Sequence, residues 1–151
     1  MTPFAHDAVD SPTPLYAESA LELEVRDVMT TGVVSVPDDA MLQEAIDLMG
    51  ADGTHGILVL GRRTGAPLGW ITTRGLLGLL GIDGGTPVTE AITEEAKAIE
   101  PTASVRSAIY ALSFPGMTRL LVQRRDEIEP EGVVTDYDLT VRATQLSRRP
   151  A

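Results

Sequence analysis

The chain contains no cysteine, so disulfides, thiolate nucleophiles and cysteine-bound metals are all excluded. Histidine is nearly as scarce, with only His6 and His55, and no HxxxH or paired-carboxylate motif accompanies them. No G-x-S-x-G, P-loop or G-x-G-x-x-G sequence follows an apolar run, so nothing here points to an enzyme. Aromatic residues make up 4% of the chain, which leaves Leu, Ile, Val, Ala and Met to build any core. Basic residues are outnumbered, 12 against 22 acidic ones, for a net charge of −10. Nucleic acid and anionic membrane surfaces would both be repelled by such a chain. No apolar run approaches bilayer length; "GLLGLLGI" (75–82) is far too short. The start, "MTPFAHDAVD", lacks the basic and apolar regions of a secretory leader, so the expected location is cytoplasmic.

The residues that are present suit a globular protein. The 151 residues are 43% hydrophobic and 23% charged, enough for one domain with a genuine core. The first 24 residues stand apart, with Asp7, Asp10, Glu18, Glu22 and Glu24 but no Lys or Arg. Their prolines and small residues predict a flexible acidic tail, in which "ALELEV" would add a short helix or edge strand covering the first folded unit.

That unit is written twice. Residues 25–76 lie on 88–139 at an offset of 63 without a gap. Val25/Val88, Ala45/Ala108, Ile46/Ile109, Gly53/Gly116, Leu58/Leu121, Gly69/Gly132, Thr72/Thr135 and Leu76/Leu139 are among the identical pairs. Each copy predicts a short strand (33–36; 96–99), then a helix capped by Asp39 or Thr102. Leu42, Ala45, Ile46 and Met49, and in the second copy Val105, Ala108, Ile109 and Leu112, form one apolar stripe per helix. Gly53 and Gly116 would stop these helices. Two strands follow ("GILVL", "LGWIT"; "RLLV", "EGVVT"), and a last helix closes each unit at 73–80 and 136–146. The expected fold is therefore α/β, two β-α-β-β-α repeats packed with pseudo-twofold symmetry. The division is a tail over 1–24, repeats at 25–82 and 88–146, a connector at 83–87 and a C-terminal tail at 147–151.

One difference between the copies carries chemical interest. "GVVTDYDL" (132–139) has Thr135 and Asp138 three apart, whereas "GWITTRGL" (69–76) has Gly75 in place of the aspartate. A helix start there favours anions, and an aspartate on its first turn can accept two hydrogen bonds from a vicinal diol. The same Thr-x-x-Asp pattern also fits a capping box, in which both side chains serve backbone donors. The residues alone leave both readings open.

The duplicated order "DVMT", "VVSVPDDAMLQEAIDLM", "GILVL", "GWIT" and its second copy resembles a pair of CBS domains, over roughly residues 25–146. The resemblance implies an adenosine ligand in a cleft between the copies, with no catalysis. By that likeness Asp138 would hold ribose hydroxyls and Thr135 the ribose or phosphate. Val133 and Ile99 would contact the base, and Thr118 and Arg119 the phosphate. AMP, ADP, ATP, NADH and S-adenosylmethionine are equally suitable ligands, and no catalytic cofactor is implied.

The first copy departs from the pattern. Gly75 replaces the carboxylate, Gly56 stands where Arg119 does, and Trp70 replaces Val133 with a side chain large enough to fill the pocket. His55 matches Thr118 and reads as a surface or packing histidine. At most one good site per chain is expected. "LLGLL" gives the first unit's last helix more leucine than one buried face needs. This fits the dimerisation that the resemblance implies, or burial under the tail. The expected role is a stand-alone regulatory module acting on an unidentified protein target. The rival is a ligand-free structural or interaction module in which Asp138 only caps a helix.

Overall fold

A computed structural model describes residues 13–148. The first twelve residues of the acidic tail and the last three of the C-terminal tail lie outside it.

Ahead of the first sheet come two short helices, α1 (Glu18–Leu21) and α2 (Val25–Val28), and the strand β1 (Thr30–Thr31). The first unit then holds β2 (Ser35–Pro37), α3 (Leu42–Asp52), β3 (Gly56–Leu60), β4 (Pro67–Thr72) and α4 (Thr73–Leu77). Its sheet has the order β2-β3-β4, parallel and then antiparallel. The second unit repeats this with β5 (Ala98–Ile99), α5 (Val105–Leu112), β6 (Arg119–Val122) and β7 (Gly132–Thr135). It ends in a helix that opens with a π-turn at Asp138–Arg142 and finishes as α6 (Ala143–Ser147). The architecture is the α/β fold of two packed repeats read from the sequence.

Several boundaries differ from the sequence reading. Asp39 and Thr102 do not cap the helices; they sit in turns closed by Ala40 N–H to Pro37 C=O and Ala103 N–H to Glu100 C=O. Each helix starts two residues later than those caps would place it. Ser104 caps α5 by accepting from Ser107 N–H at 3.1 Å, and at α3 Glu44 reaches back to Met41 N–H at 3.2 Å. Gly53 does end α3 in the left-handed conformation, with φ 67°. Gly116 does not end α5, which stops at Leu112 because Pro115 forbids continuation. Leu42, Ala45 and Met49 are buried as expected, but Ile46 lies at the edge of the stripe, 39% exposed.

The two repeats are interlocked through their first residues. The helix α2 buries Val25 and Val28 in the core of the second unit, beside Val105, Leu120, Val134 and Leu139. Their equivalents Val88 and Ala91 lie in the first unit's core with Leu42, Ile57 and Ile71. The backbone follows the same exchange: Val25 N–H donates to Ala103 C=O, and Val88 N–H to Ala40 C=O. The strand β1 then joins the second sheet against β7, giving the order β1-β7-β6-β5. The helix α1 rests on α5 and α6, with Glu18 and Glu22 near Arg106. The "ALELEV" segment therefore covers the second unit, not the first.

Between the units lies a third cluster of Leu58, Trp70 and Leu121, with Val33, Leu60, Ala96 and Val133 packed on it. Leu58 and Leu121, Val33 and Ala96, and Trp70 and Val133 are equivalent positions at offset 63. The seam is thus nearly symmetric except where tryptophan faces valine.

Candidate functional site

The asymmetry leaves one cleft open. A cavity of about 430 Å³ lies between the repeats, walled by residues 30–34, by 52–54 at the end of α3, by Gly56 at the start of β3, and by Trp70, Arg119 and Val133. The exchange of leading segments explains this composition. The chain leaving α2 crosses onto β7, so Thr31 and Val33 of the first repeat line a cleft that Val133 of the second repeat faces.

Arg119 is the cation of this cleft. Its guanidinium lies over the Trp70 ring at 5.5 Å, and its Nε donates to Thr118 Oγ1 at 3.3 Å. It also covers Gly56, where an added side chain would collide with the guanidinium. Glycine at 56 is therefore what lets Arg119 cross between repeats. Burial lowers the Arg119 pKa below its ordinary value, opposed by the charges of Glu94, Asp136 and Asp138. The group stays a cation at neutral pH, poorly solvated and suited to pairing with an anion.

Thr118 faces a neighbouring cavity of about 360 Å³, shared with His55, Thr72, Thr73, Arg74, Arg119 and Asp136. His55 is exposed there, as the sequence suggested. Arg119 borders both cavities and joins them.

Thr135 and Asp138 behave differently from the ligand-holding expectation. Asp138 is 4% exposed, and its Oδ2 accepts from Thr135 N–H at 3.0 Å and from Thr135 Oγ1 at 3.2 Å. Asp138 N–H in turn donates to Thr135 Oγ1 at 3.2 Å, a reciprocal cap at the start of the last helix. Only Oδ1 is lightly held, by Arg142 at 3.5 Å. Neither residue lines the open cavity.

Ile99 is not part of the cleft. It pairs with Val122, whereas Thr135 pairs with Arg119 three residues back along the same strand, about 10 Å away. Ile99 borders a separate cavity of about 300 Å³ with Glu100, Gln123 and Arg124. The apolar contact expected of it comes from Val33 and Val34. Those residues were missed because the exchange gives each cleft the leading segment of the other repeat, which periodicity does not reveal.

The twin cleft lacks the carboxylate, and its Thr72 is used as a cap, accepting from Gly75 N–H at 2.9 Å. Thr93 occupies the space that a side chain at position 75 would need. Gly75→Asp should therefore create no second site. It should instead cost about 2 kcal/mol of stability by overpacking, as read in a urea melt. Among the described residues no cluster of three metal-ligating side chains exists, and no helix is long and apolar enough to cross a membrane.

Residues 25–82 match the CBS domain family. A CBS domain protein from Pyrobaculum aerophilum, complexed with AMP, superposes with a TM-score of 0.71 at 17% identity, covering 83% of this chain and 97% of that one. The CBS domain of a bacterial CNNM/CorC family Mg2+ transporter, in complex with ATP, gives 0.71 at 17% identity, covering 85% and 91%. A CBS-domain containing protein from Agrobacterium tumefaciens gives 0.69 at 20% identity, covering 86% and 98%. Among curated proteins none matches the sequence.

Proposed function

We propose that this chain, a CBS-domain protein, is a regulatory module that takes an adenine nucleotide or related adenosyl compound into its open cleft and catalyses nothing. The observation that carries this reading is the inequality of the two clefts. One is crowded by Thr93 and a buried glutamate, Glu94, while the other keeps about 430 Å³, walled in part by Trp70, with a desolvated arginine at its edge. A base would slide between Val33 and Val133, and Arg119 would fork onto a phosphate. That two structural relatives hold AMP and ATP supports the choice of ligand class. Binding would favour one arrangement of the interlocked repeats, and the change would pass to a protein target, with a homodimer in the cytoplasm as the working form. Nucleic acid and membranes are not partners in this reading, given the net charge of −10.

Calorimetry with AMP, ADP, ATP, NADH and S-adenosylmethionine tests it. At least one should release heat and raise the melting temperature. Arg119→Ala should weaken that binding about 10- to 100-fold, the worth of a charge-assisted hydrogen bond of about 1.5–3 kcal/mol. Silence from all five ligands would reject the proposal. A second reading, a ligand-free scaffold, is favoured by the use of the Asp138 carboxylate as a helix cap.

A further inference from the structure

Among the described residues, one buried side-chain donor has no hydrogen-bond partner, the indole Nε1–H of Trp70. Val133, its equivalent at offset 63, brings no such donor into the seam. The Trp70 side chain is 1% exposed, and three regions meet on it. It packs between the repeats with Leu58 and Leu121, and it walls the open cavity. Its backbone is tied to the segment that crowds the twin cleft. Trp70 N–H donates to Glu94 C=O at 2.8 Å, and Thr93 N–H donates to Trp70 C=O at 2.9 Å. The buried Glu94 carboxylate accepts in turn from Thr118 N–H at 2.9 Å and Arg119 N–H at 3.2 Å. An indole donor shut away from water gives up a hydrogen bond that the unfolded chain would make. The Arg119 guanidinium, 5.5 Å from the ring centroid, offsets part of that loss by its attraction to the ring face.

We propose, resting on the nucleotide reading above, that Trp70 is the switch by which occupation of the open cleft is felt at the twin cleft. Arg119 has one guanidinium and two uses, because it covers the indole or forks onto a phosphate. A phosphate that draws it off the ring removes the attraction that offsets the unmet N–H. The indole then gains a hydrogen bond by turning Nε1–H toward cavity water or an acceptor on the ligand. Such a turn cannot leave the seam unchanged, since Leu58 and Leu121 pack directly on the ring and cores hold few voids. The β4 backbone adjusts with the ring, and Thr93 and Glu94 follow through the two backbone bonds that tie them to Trp70. The ligand shifts the balance because it binds only the state in which Arg119 has left the indole. The second repeat, with valine in this position, has no counterpart to the switch, so the signal runs from the open cleft to its twin.

Trp70 is the sole tryptophan of the chain, so its indole N–H gives a single resonance. That resonance and the backbone amides are followed at saturation with AMP, ADP, ATP, NADH and S-adenosylmethionine, while calorimetry measures binding separately. With a ligand that binds, the indole N–H should shift and exchange faster with water, and the Thr93 and Glu94 amides should shift at the same midpoint. In Trp70→Phe the ring has no donor to satisfy. At saturating ligand the Thr31 and Gly32 amides of the open cleft should then still respond, while the response of Thr93 and Glu94 is lost. Heat of binding with an unmoved indole resonance overturns the switch and leaves the nucleotide reading standing. Silence from all five ligands in calorimetry overturns both. The switch also fails if Thr93 and Glu94 respond in W70F as they do in the wild type. Where W70F does not fold, the wild type decides alone: an indole that shifts without Thr93 and Glu94 rejects the coupling, and a shared midpoint supports it.

Discussion

Gly132→Ala should lower the unfolding free energy by about 3 kcal/mol, one of the largest losses available to a single methyl group in this chain. Gly132 is the residue over which the exchanged strand β1 crosses, paired with Thr31. A Cβ there would collide with the backbone carbonyl oxygen of Thr30 and would lie 3.1 Å from the Met29 sulfur. The sulfur can move, but the carbonyl cannot without lifting β1 from the sheet. Lifting β1 pulls on α2, whose Val25 and Val28 are fully buried in the second unit's core. The damage would therefore spread from one strand edge to the interlock of the repeats. A urea melt measures the loss, and Gly116→Ala is the control. Gly116 has φ 85° and open space around it, so alanine there should meet only the backbone penalty of about 1 kcal/mol. An equal or smaller loss at Gly132 would show that the crossing is not a tight approach.

The same glycine shows what the sequence could and could not disclose. Its recurrence at positions 69 and 132 marked the duplication, and the stripes of α3 and α5 marked the buried faces of their helices. These signals are local, set by a helical or strand period, and they hold over most of both units. Val25 and Val88 were equally visible as a matching pair. Nothing in their identity says that each is buried in the other repeat, because exchange preserves every local pattern. From that one ambiguity came the absence of Val33 from the expected pocket, whereas Ile99 stays on β5 of its own repeat and borders a different cavity. Glu94 was missed for another reason. A lone acid near a strand entrance reads as solvated, and only its comparison with Thr31 at the equivalent position would have raised the question. Trp70 against Val133 marked the copies as unequal, but did not show that Trp70 would wall the open cavity.

Asp138 is where the two functional readings give different numbers. Asp138→Ala removes the acceptor of Thr135 N–H and leaves that donor in a buried site, so it should cost about 2 kcal/mol in a urea melt under either reading. Asp138→Asn separates them. The asparagine oxygen still faces Thr135, so stability should fall by less than half as much, while the negative charge is gone. A carboxylate has about four acceptor positions, and here Oδ1 has only a 3.5 Å contact with Arg142, itself 42% exposed in its side chain. Swinging Arg142 into solvent would free Oδ1 for a ribose hydroxyl without disturbing the cap made by Oδ2. If a nucleoside is held this way, D138N should lose about 10- to 100-fold in affinity by calorimetry although its fold is nearly intact. An affinity unchanged in D138N would assign the carboxylate to the helix alone. The binding energy of the cleft would then have to come from Arg119 and the apolar walls.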